Sequence, residues 1–357
     1  MKVLVATNSY PTKKNPTHQP FIKNIYEGLR DEGLEVELLY NPYFKFFKSD
    51  LETGNLFTSV LKTFFLFFSY LPVVIYRARK FDILYSHAPI WPGFLMLAAQ
   101  KIHGIKHITY VHGSVNHYVN QHSFLYKIAR YTMHHCTSVV TNSEYMVRRL
   151  EREYDCKSAV ITPGFNERVF TYQSAPRPID LFFAGSTIRR KGIRLLLETI
   201  HQNRDYYEKQ RLTIKLHFSG GRKEDLIQYA DKTGISHLIE FGDRLTEETL
   251  AETHKASKVF IFPSSEEPLG LVGIEAIACG AALVGSDSGG IKEYLIDGKN
   301  GFLFKDGSVE ELQQAIEKAL GRFPEFEKNQ PDISESVKDF TLSEAMKQTI
   351  SFFKELS

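Results

Sequence analysis

The chain has 357 residues, 43% hydrophobic and 24% charged, with a formal net charge of +2. At roughly 100–200 residues per domain, two folded domains are the default, and the near-neutral balance gives bulk charge no argument for nucleic acid. Residues 1–165 carry 19 Lys/Arg against 12 Asp/Glu, and the rest of the chain is net acidic; that asymmetry is either chance or a basic half that meets an anionic surface.

MKVLVATNSY opens as a strand, about 2–7, and has no apolar leader region or cleavage site. A second strand is expected at about 35–40. Residues 56–76, LFTSVLKTFFLFFSYLPVVIY, approach the length of a membrane span, but Lys62 and Pro72 interrupt them. They read as a core helix of the first domain. The alternative is a helix lying on a membrane, favoured by Phe44, Phe46 and Phe47 beside Lys45 and Lys48 and by Arg77, Arg79 and Lys80. Further short β-branched runs follow at about 82–86, 107–111, 138–141 and 158–161. A turn-rich join, ITPGFNERVF at 161–170, leads into an extended connector with Pro176 and Pro178. A second series of strands is expected at about 180–184, 214–218, 239–241, 259–262 and 281–285. An amphipathic helix at about 342–356 closes the chain. Cys136, Cys156 and Cys279 have no zinc or disulfide spacing and fit a reducing cytosol.

Two series of alternating strands and helices predict an α/β protein built from two doubly wound parallel-sheet domains facing a central cleft. The boundaries are 1–165 for the first domain and 166–338 for the second, with 339–357 packing back on the first. Ligands of such sheets bind beyond the carboxyl ends of the strands, so polar residues just after strands are the candidates.

The densest of these lies in VFIFPSSEEPLGLVGIEAIACGAALVGSDSGG, 259–290. A buried strand ends at Pro263, a polar loop follows, and a helix starts near Gly270. Free N–H groups and the positive end of the helix dipole suit an anion such as a diphosphate. Glu267 before the helix would repel a phosphate and is better matched to neutral hydroxyls. Glu275, inside the helix among Gly273, Ile274, Ala276 and Ile277, is a charge that needs partners. The alternatives are a dipole-neutralising acid at Glu267 and a surface residue at Glu275.

EPLGLVGIEAIACG resembles the Glu-seven-residues-Glu motif of the family-4 retaining glycosyltransferases, which have the GT-B fold. The resemblance implies that Glu267 meets the donor hexose and Glu275 the donor ribose. It also implies that the backbone of Pro268, Leu269, Gly270 and Leu271 lines the sugar and phosphates. Leu269 stands where the family usually has Phe. FFAGSTIRRKGIRLLLETI, 182–200, is similar to a segment whose two cations bind the diphosphate. Lys191 matches one, Ser186 stands at the Arg position, and Arg189 or Arg190 is a candidate substitute. ITYVHGSVNH, 108–117, resembles the segment whose His lies near the reacting sugar. His112 matches it, with Val115 where an Asp is frequent. Gln19 stands at the Gly position of the family's first loop, and Arg244, in FGDRL, at a turn that contacts the base. A lone His or a basic helix start is otherwise an ordinary surface feature.

The implied activity is transfer of a hexose-type sugar from a nucleoside diphosphate sugar to a hydroxyl acceptor, with retention. Glu267, His112 and Lys191 would be the catalytic groups. The absence of an Asp-x-Asp motif makes metal independence and the absence of a cofactor the expectation. The basic, aromatic first half points to a glycan or lipid-linked acceptor and to peripheral contact with an anionic membrane, on its cytoplasmic face. Competing readings are a nucleotide-sugar epimerase or a phosphorylase of the same fold, and a non-catalytic sugar-nucleotide-binding partner. A dinucleotide oxidoreductase is disfavoured because no Gly-x-Gly-x-x-Gly follows the first strand.

Overall fold

A computed structural model describes residues 1–11, 20–40, 68–113, 123–221 and 223–356. The chain divides into two units, Met1–Gly164 with Leu342–Ser357, and Phe165–Thr341. Gln19, Val115 and the aromatic and basic residues at 44–48 lie outside the described residues, as does 56–67 of the apolar run.

In the first unit, β1 (Lys2–Thr7), β2 (Glu35–Tyr40), β3 (Ile83–Ser86), β4 (Lys106–Val111), β5 (Ser138–Thr141) and β6 (Ala159–Val160) form one sheet. All its strands are parallel, in the order β2-β1-β3-β4-β5-β6. Parallel strands covered on both faces are apolar throughout, and β1 and β3 are buried almost end to end. Helices Pro20–Asp31, Trp91–His103, Phe124–His135 and Glu144–Tyr154 supply the crossovers. Residues 68–78 are also helical, in the part of the apolar run where a core helix was expected. Val74 and Ala78 are buried, while Val73 and Tyr76 face outward at 42% and 59% exposure. The final helix, Leu342–Leu356, buries Ala345, Met346 and Phe353 in the same core as Val3, Val5 and Tyr85. Its Phe353 ring stands edge-on to Tyr85 at 5.1 Å.

The second unit holds β7 (Ile179–Ser186), β8 (Ile214–Ser219), β9 (Ile239–Asp243), β10 (Ser257–Phe262), β11 (Ala282–Ser286) and β12 (Gly301–Phe304). They form a parallel sheet in the order β12-β11-β10-β7-β8-β9. β12 was not among the expected strands. The order runs outward in both directions from the neighbours β7 and β10, so the crossovers change side there. The carboxyl end of the sheet at this switch point is where doubly wound sheets hold ligands.

The connector at 171–180 is more than a spacer. Arg177 is 6% exposed, and its guanidinium donates to the carbonyls of His254, Ser257 and Cys279 at 3.0, 2.6 and 2.6 Å. His254 lies in the last turn of helix Glu247–Lys255, and Cys279 caps the C-terminus of helix Leu271–Ala278. One cation thus satisfies the carbonyls that helix ends leave unpaired, at the negative ends of two dipoles. Charge-assisted bonds of this kind contribute roughly 1.5–3 kcal/mol each and are not additive. The Arg177→Ala variant should lose about 3 kcal/mol in urea unfolding. A change under about 0.5 kcal/mol, the range of neutral surface substitutions, would refute this role for the side chain.

Candidate active site

In the second unit the site grows from the seam between β7 and β10. The chain leaves β7 at Ser186 and makes one turn of 3-10 helix, Arg189–Lys191. Gly192 then takes φ +69 before helix Ile193–Gln202. A Cβ there would lie 1.8 Å from the Pro263 carbonyl oxygen, so only glycine lets the two loops meet backbone to backbone. The contact is continued by Ser265 N–H, which donates to the Arg190 carbonyl at 2.8 Å.

The loop after β10 is clasped from the other side as well. Gly290 N–H donates to the Glu267 carbonyl at 2.8 Å, and Glu266 N–H donates to Ser288 Oγ at 2.9 Å. Ser265 Oγ donates to Asp306 at 2.7 Å. The loop therefore has fixed partners on residues following β7, β11 and β12.

Glu267, 6% exposed, points into this frame. Its Oε2 accepts from Lys191 Nζ at 2.6 Å and from Arg190 Nη1 at 3.0 Å. Burial alone would raise the Glu267 carboxyl. The Lys191 ammonium and the Arg190 guanidinium outweigh burial and hold it below the usual carboxylate range. The Lys191 ammonium also sits 5.4 Å from the centre of the Phe262 ring.

Helix Leu271–Ala278 starts three residues after Pro268, with Pro268 and Leu269 buried. Its N-cap, Gly270, is left-handed at φ +91 and gives no side-chain cap. A Cβ at Gly270 would strike the Phe262 ring at 2.5 Å, so the glycine also makes room for packing. The Tyr294 hydroxyl donates to the Gly270 carbonyl at 3.1 Å and braces the helix start. Glu275 lies further along this helix, half-buried, with no hydrogen-bond or ion-pair partner among the described residues. Burial first, and the Glu247 carboxylate second, push its carboxyl up to about 8.

Thus Glu267, Lys191 and Arg190 are in contact, and Leu271 begins the adjoining helix. Ser186 closes β7, in register with Ser219 of β8. Its side chain joins no hydrogen bond among the described residues. Arg244 follows β9, at the far edge of the sheet, and is exposed.

His112 belongs to the first unit and immediately follows β4. It is half-buried, and its ring stacks on Tyr110 at 4.0 Å. Its Nε2 lies 2.8 Å from Nδ1 of His87, the residue after β3. Burial, and secondarily His87, hold the His112 imidazole well below its ordinary value, so it is neutral near pH 7.

Sequence reasoning did not single out Ser288, Gly290, Asp306, Tyr294 or His87. The signal for most of them was their position just past a strand end, with Ser-Gly-Gly following β11.

The two units share the GT-B architecture with solved structures. Sucrose-phosphate synthase from Thermosynechococcus elongatus superposes with a TM-score of 0.76 at 17% identity, over 99% of this chain and 98% of that one. HepE of Anabaena, in complex with UDP and glucose, superposes with a TM-score of 0.74 at 19% identity, over 99% and 100%. Residues 165–330 match the family described as Glycosyl transferases group 1, and residues 19–168 match Glycosyltransferase Family 4. The chain belongs to the family-4 glycosyltransferases.

Its relatives include an uncharacterized glycosyltransferase of Methanocaldococcus jannaschii, 24% identical over 68% of this chain and 66% of that protein. The D-inositol 3-phosphate glycosyltransferase of Streptomyces bingchenggensis is 28% identical over 46% and 41%. The alpha-maltose-1-phosphate synthase of Mycobacterium tuberculosis is 35% identical over 36% and 33%. The chain covers less than two thirds of the length of each of these relatives.

A carboxyl held near 8 stabilises the fold while it is protonated. Its contribution is complete below the unfolded value near 4.5 and is lost as pH rises through 8. The Glu275→Gln variant should therefore gain stability over the parent as pH rises from about 5 to 8, by at most about 1.4 kcal/mol per pH unit. Urea titrations at several pH values check this. A stability difference that does not change with pH would show that Glu275 is ordinarily ionised.

Proposed function

We propose that the chain transfers a hexose-type sugar from a nucleoside diphosphate sugar to a hydroxyl acceptor, with retention of anomeric configuration. The observation that carries this reading is the Glu267–Lys191–Arg190 cluster beside an uncapped helix start at the seam of β7 and β10. Two cations and free N–H groups suit a diphosphate, and the carboxylate among them suits sugar hydroxyls. HepE has been solved with UDP-glucose, which supports the donor class. In this reading the second unit holds the donor, with Glu275 at the ribose and Arg244 toward the base, and the first unit holds the acceptor.

Bond breaking at the anomeric carbon sends its electron pair to the diphosphate. Lys191, Arg190 and the helix start at Leu271 stabilise that charge, without a bound metal. The acceptor oxygen bonds to the anomeric carbon on the face the diphosphate leaves, and its proton passes to the departing phosphate oxygen. Glu267 faces the sugar during this step. Ser186 contributes no charge, so the second cation of the diphosphate site is Arg190.

A panel of UDP-, GDP- and ADP-sugars, read by nucleotide release, tests the donor. Glu267→Gln should cut turnover about 100-fold or more, and Glu275→Ala should weaken nucleoside diphosphate binding by calorimetry. Unchanged turnover in a folded Glu267→Gln variant would sink this assignment.

For the acceptor we propose a lipid-linked or cell-surface glycan at an anionic membrane. Support comes from the outward Val73 and Tyr76 next to Arg79 and Lys80, and from the net positive charge of residues 1–165. In this reading the contact is peripheral; no helix among the described residues is long and apolar enough to cross a membrane. The protein should sediment with phosphatidylglycerol vesicles at low salt, and the double variant Arg79→Glu, Lys80→Glu should reduce this several-fold. No sedimentation at low salt would count against the membrane acceptor.

A further inference from the structure

His87 has no role in the reading above, yet it is 2% exposed and its ring is held on every side described. Tyr85 meets it edge-on at 4.6 Å, and Tyr110 lies nearly parallel to it at 5.6 Å. Its backbone N–H donates to the Ala6 carbonyl at 2.8 Å, which ties it to the end of β1. His112 is fixed just as firmly. Tyr110 stacks on it, Phe21 meets its edge at 4.9 Å, and Asn142 Nδ2 donates to its carbonyl at 2.9 Å. The two imidazole planes lie within 8° of each other.

Both rings are neutral near pH 7, since burial lowers each. One hydrogen bond between two neutral imidazoles holds one proton, so the tautomers are coupled. If His87 Nδ1–H donates, His112 accepts at Nε2 and carries its own proton on Nδ1. If His112 Nε2–H donates instead, the proton of His87 sits on Nε2. The atoms at stake, His87 Nε2 and His112 Nδ1, are buried and have no hydrogen-bond partner among the described residues.

Each arrangement leaves one N–H unpaired, and an unpaired buried N–H costs roughly a lost hydrogen bond. A proton on His87 Nε2 would be sealed in the core, where nothing relieves that cost. A proton on His112 Nδ1 belongs to the less buried residue, which follows a strand end in the region where ligands of such sheets bind. A small shift of the groups that cover Nδ1 would let an oxygen of the ligand relieve the cost there.

From this geometry we infer that His87 is a positioning residue for His112, holding it in the tautomer with the proton on Nδ1 so that it meets the ligand as a neutral hydrogen-bond donor. His112 is then an orienting donor to a sugar or acceptor oxygen and not a general base. The assignment of a ligand oxygen as its partner rests on the proposed glycosyl transfer; the tautomer does not.

The test uses full-length protein labelled with 15N-histidine, with His112 assigned by comparison with His112→Gln. Long-range 1H–15N correlation should show His112 protonated on Nδ1. In His87→Ala it should revert to the commoner Nε2–H form. His87→Asn, whose amide nitrogen stands near the Nδ1 position, should restore the parent pattern. Turnover should follow, falling about tenfold in His87→Ala with the donor KM within twofold, and recovering in His87→Asn. Nε2–H in the parent protein, or an unchanged His112 signal in His87→Ala, overturns the inference. If His87→Ala does not fold, the parent and His87→Asn spectra still decide it. Transfer absent from the parent with every donor would overturn the functional reading, and the spectra would still decide the tautomer.

Discussion

A carboxylate removed from water must find positive charge, and at Glu267 that requirement organises the second unit. Desolvation costs several kcal/mol per ion even after relaxation. Two cations within 3.0 Å of a single oxygen offset it. Those cations lie 76 and 77 residues earlier in the chain. They reach Glu267 because β7 pairs with β10, and because Gly192 lets the loops after these strands touch. The bonds from Gly290, Ser288 and Asp306 then keep the loop from swinging its charge into solvent. The same cluster is well suited to a diphosphate because its positive charge is already assembled before any ligand arrives.

The first unit solves the problem of polar groups in a core differently. It buries neutral rings. His107, the second residue of β4, is fully buried and shares its Nε2 with the hydroxyls of Ser86 and Thr109. His87 and His112 share a hydrogen bond, and Tyr110 stacks on both. Neutral imidazoles need fewer partners than ions, which is why this region has stacking where the second unit has ion pairs.

Much of this was legible from sequence. Eleven of the twelve strands were expected near their observed positions, because buried parallel strands are continuous β-branched or aromatic runs. The twelfth, GFLF, is four residues long and follows directly on a turn, so it lacks the length that separates a strand from a loop with apolar residues. Glu267, Glu275 and Lys191 could be singled out because each sits beside a strand end or helix start. The ion pairs among them could not, since nothing local to 189–191 or 263–267 encodes which strands become neighbours. Arg177 was hidden for the opposite reason. Its surroundings, Pro176 and Pro178, have the composition of a linker, and its three carbonyl partners lie 77 to 102 residues away. His87 looked like any lone histidine until β4 placed His112 beside it.

The first unit is discontinuous, since residues 342–356 complete a core begun by residues 2–5 and 83–85. During synthesis the ribosome must therefore deliver the whole of the second unit before the first can close. Domains usually fold from the N-terminus during synthesis, and here one core cluster of the N-terminal unit is incomplete until the last helix is made. Until the last helix docks, Val3, Val5 and Tyr85 lack the cover of Met346 and Phe353. That part of the first unit's core therefore depends on residues made more than 250 positions later in the chain.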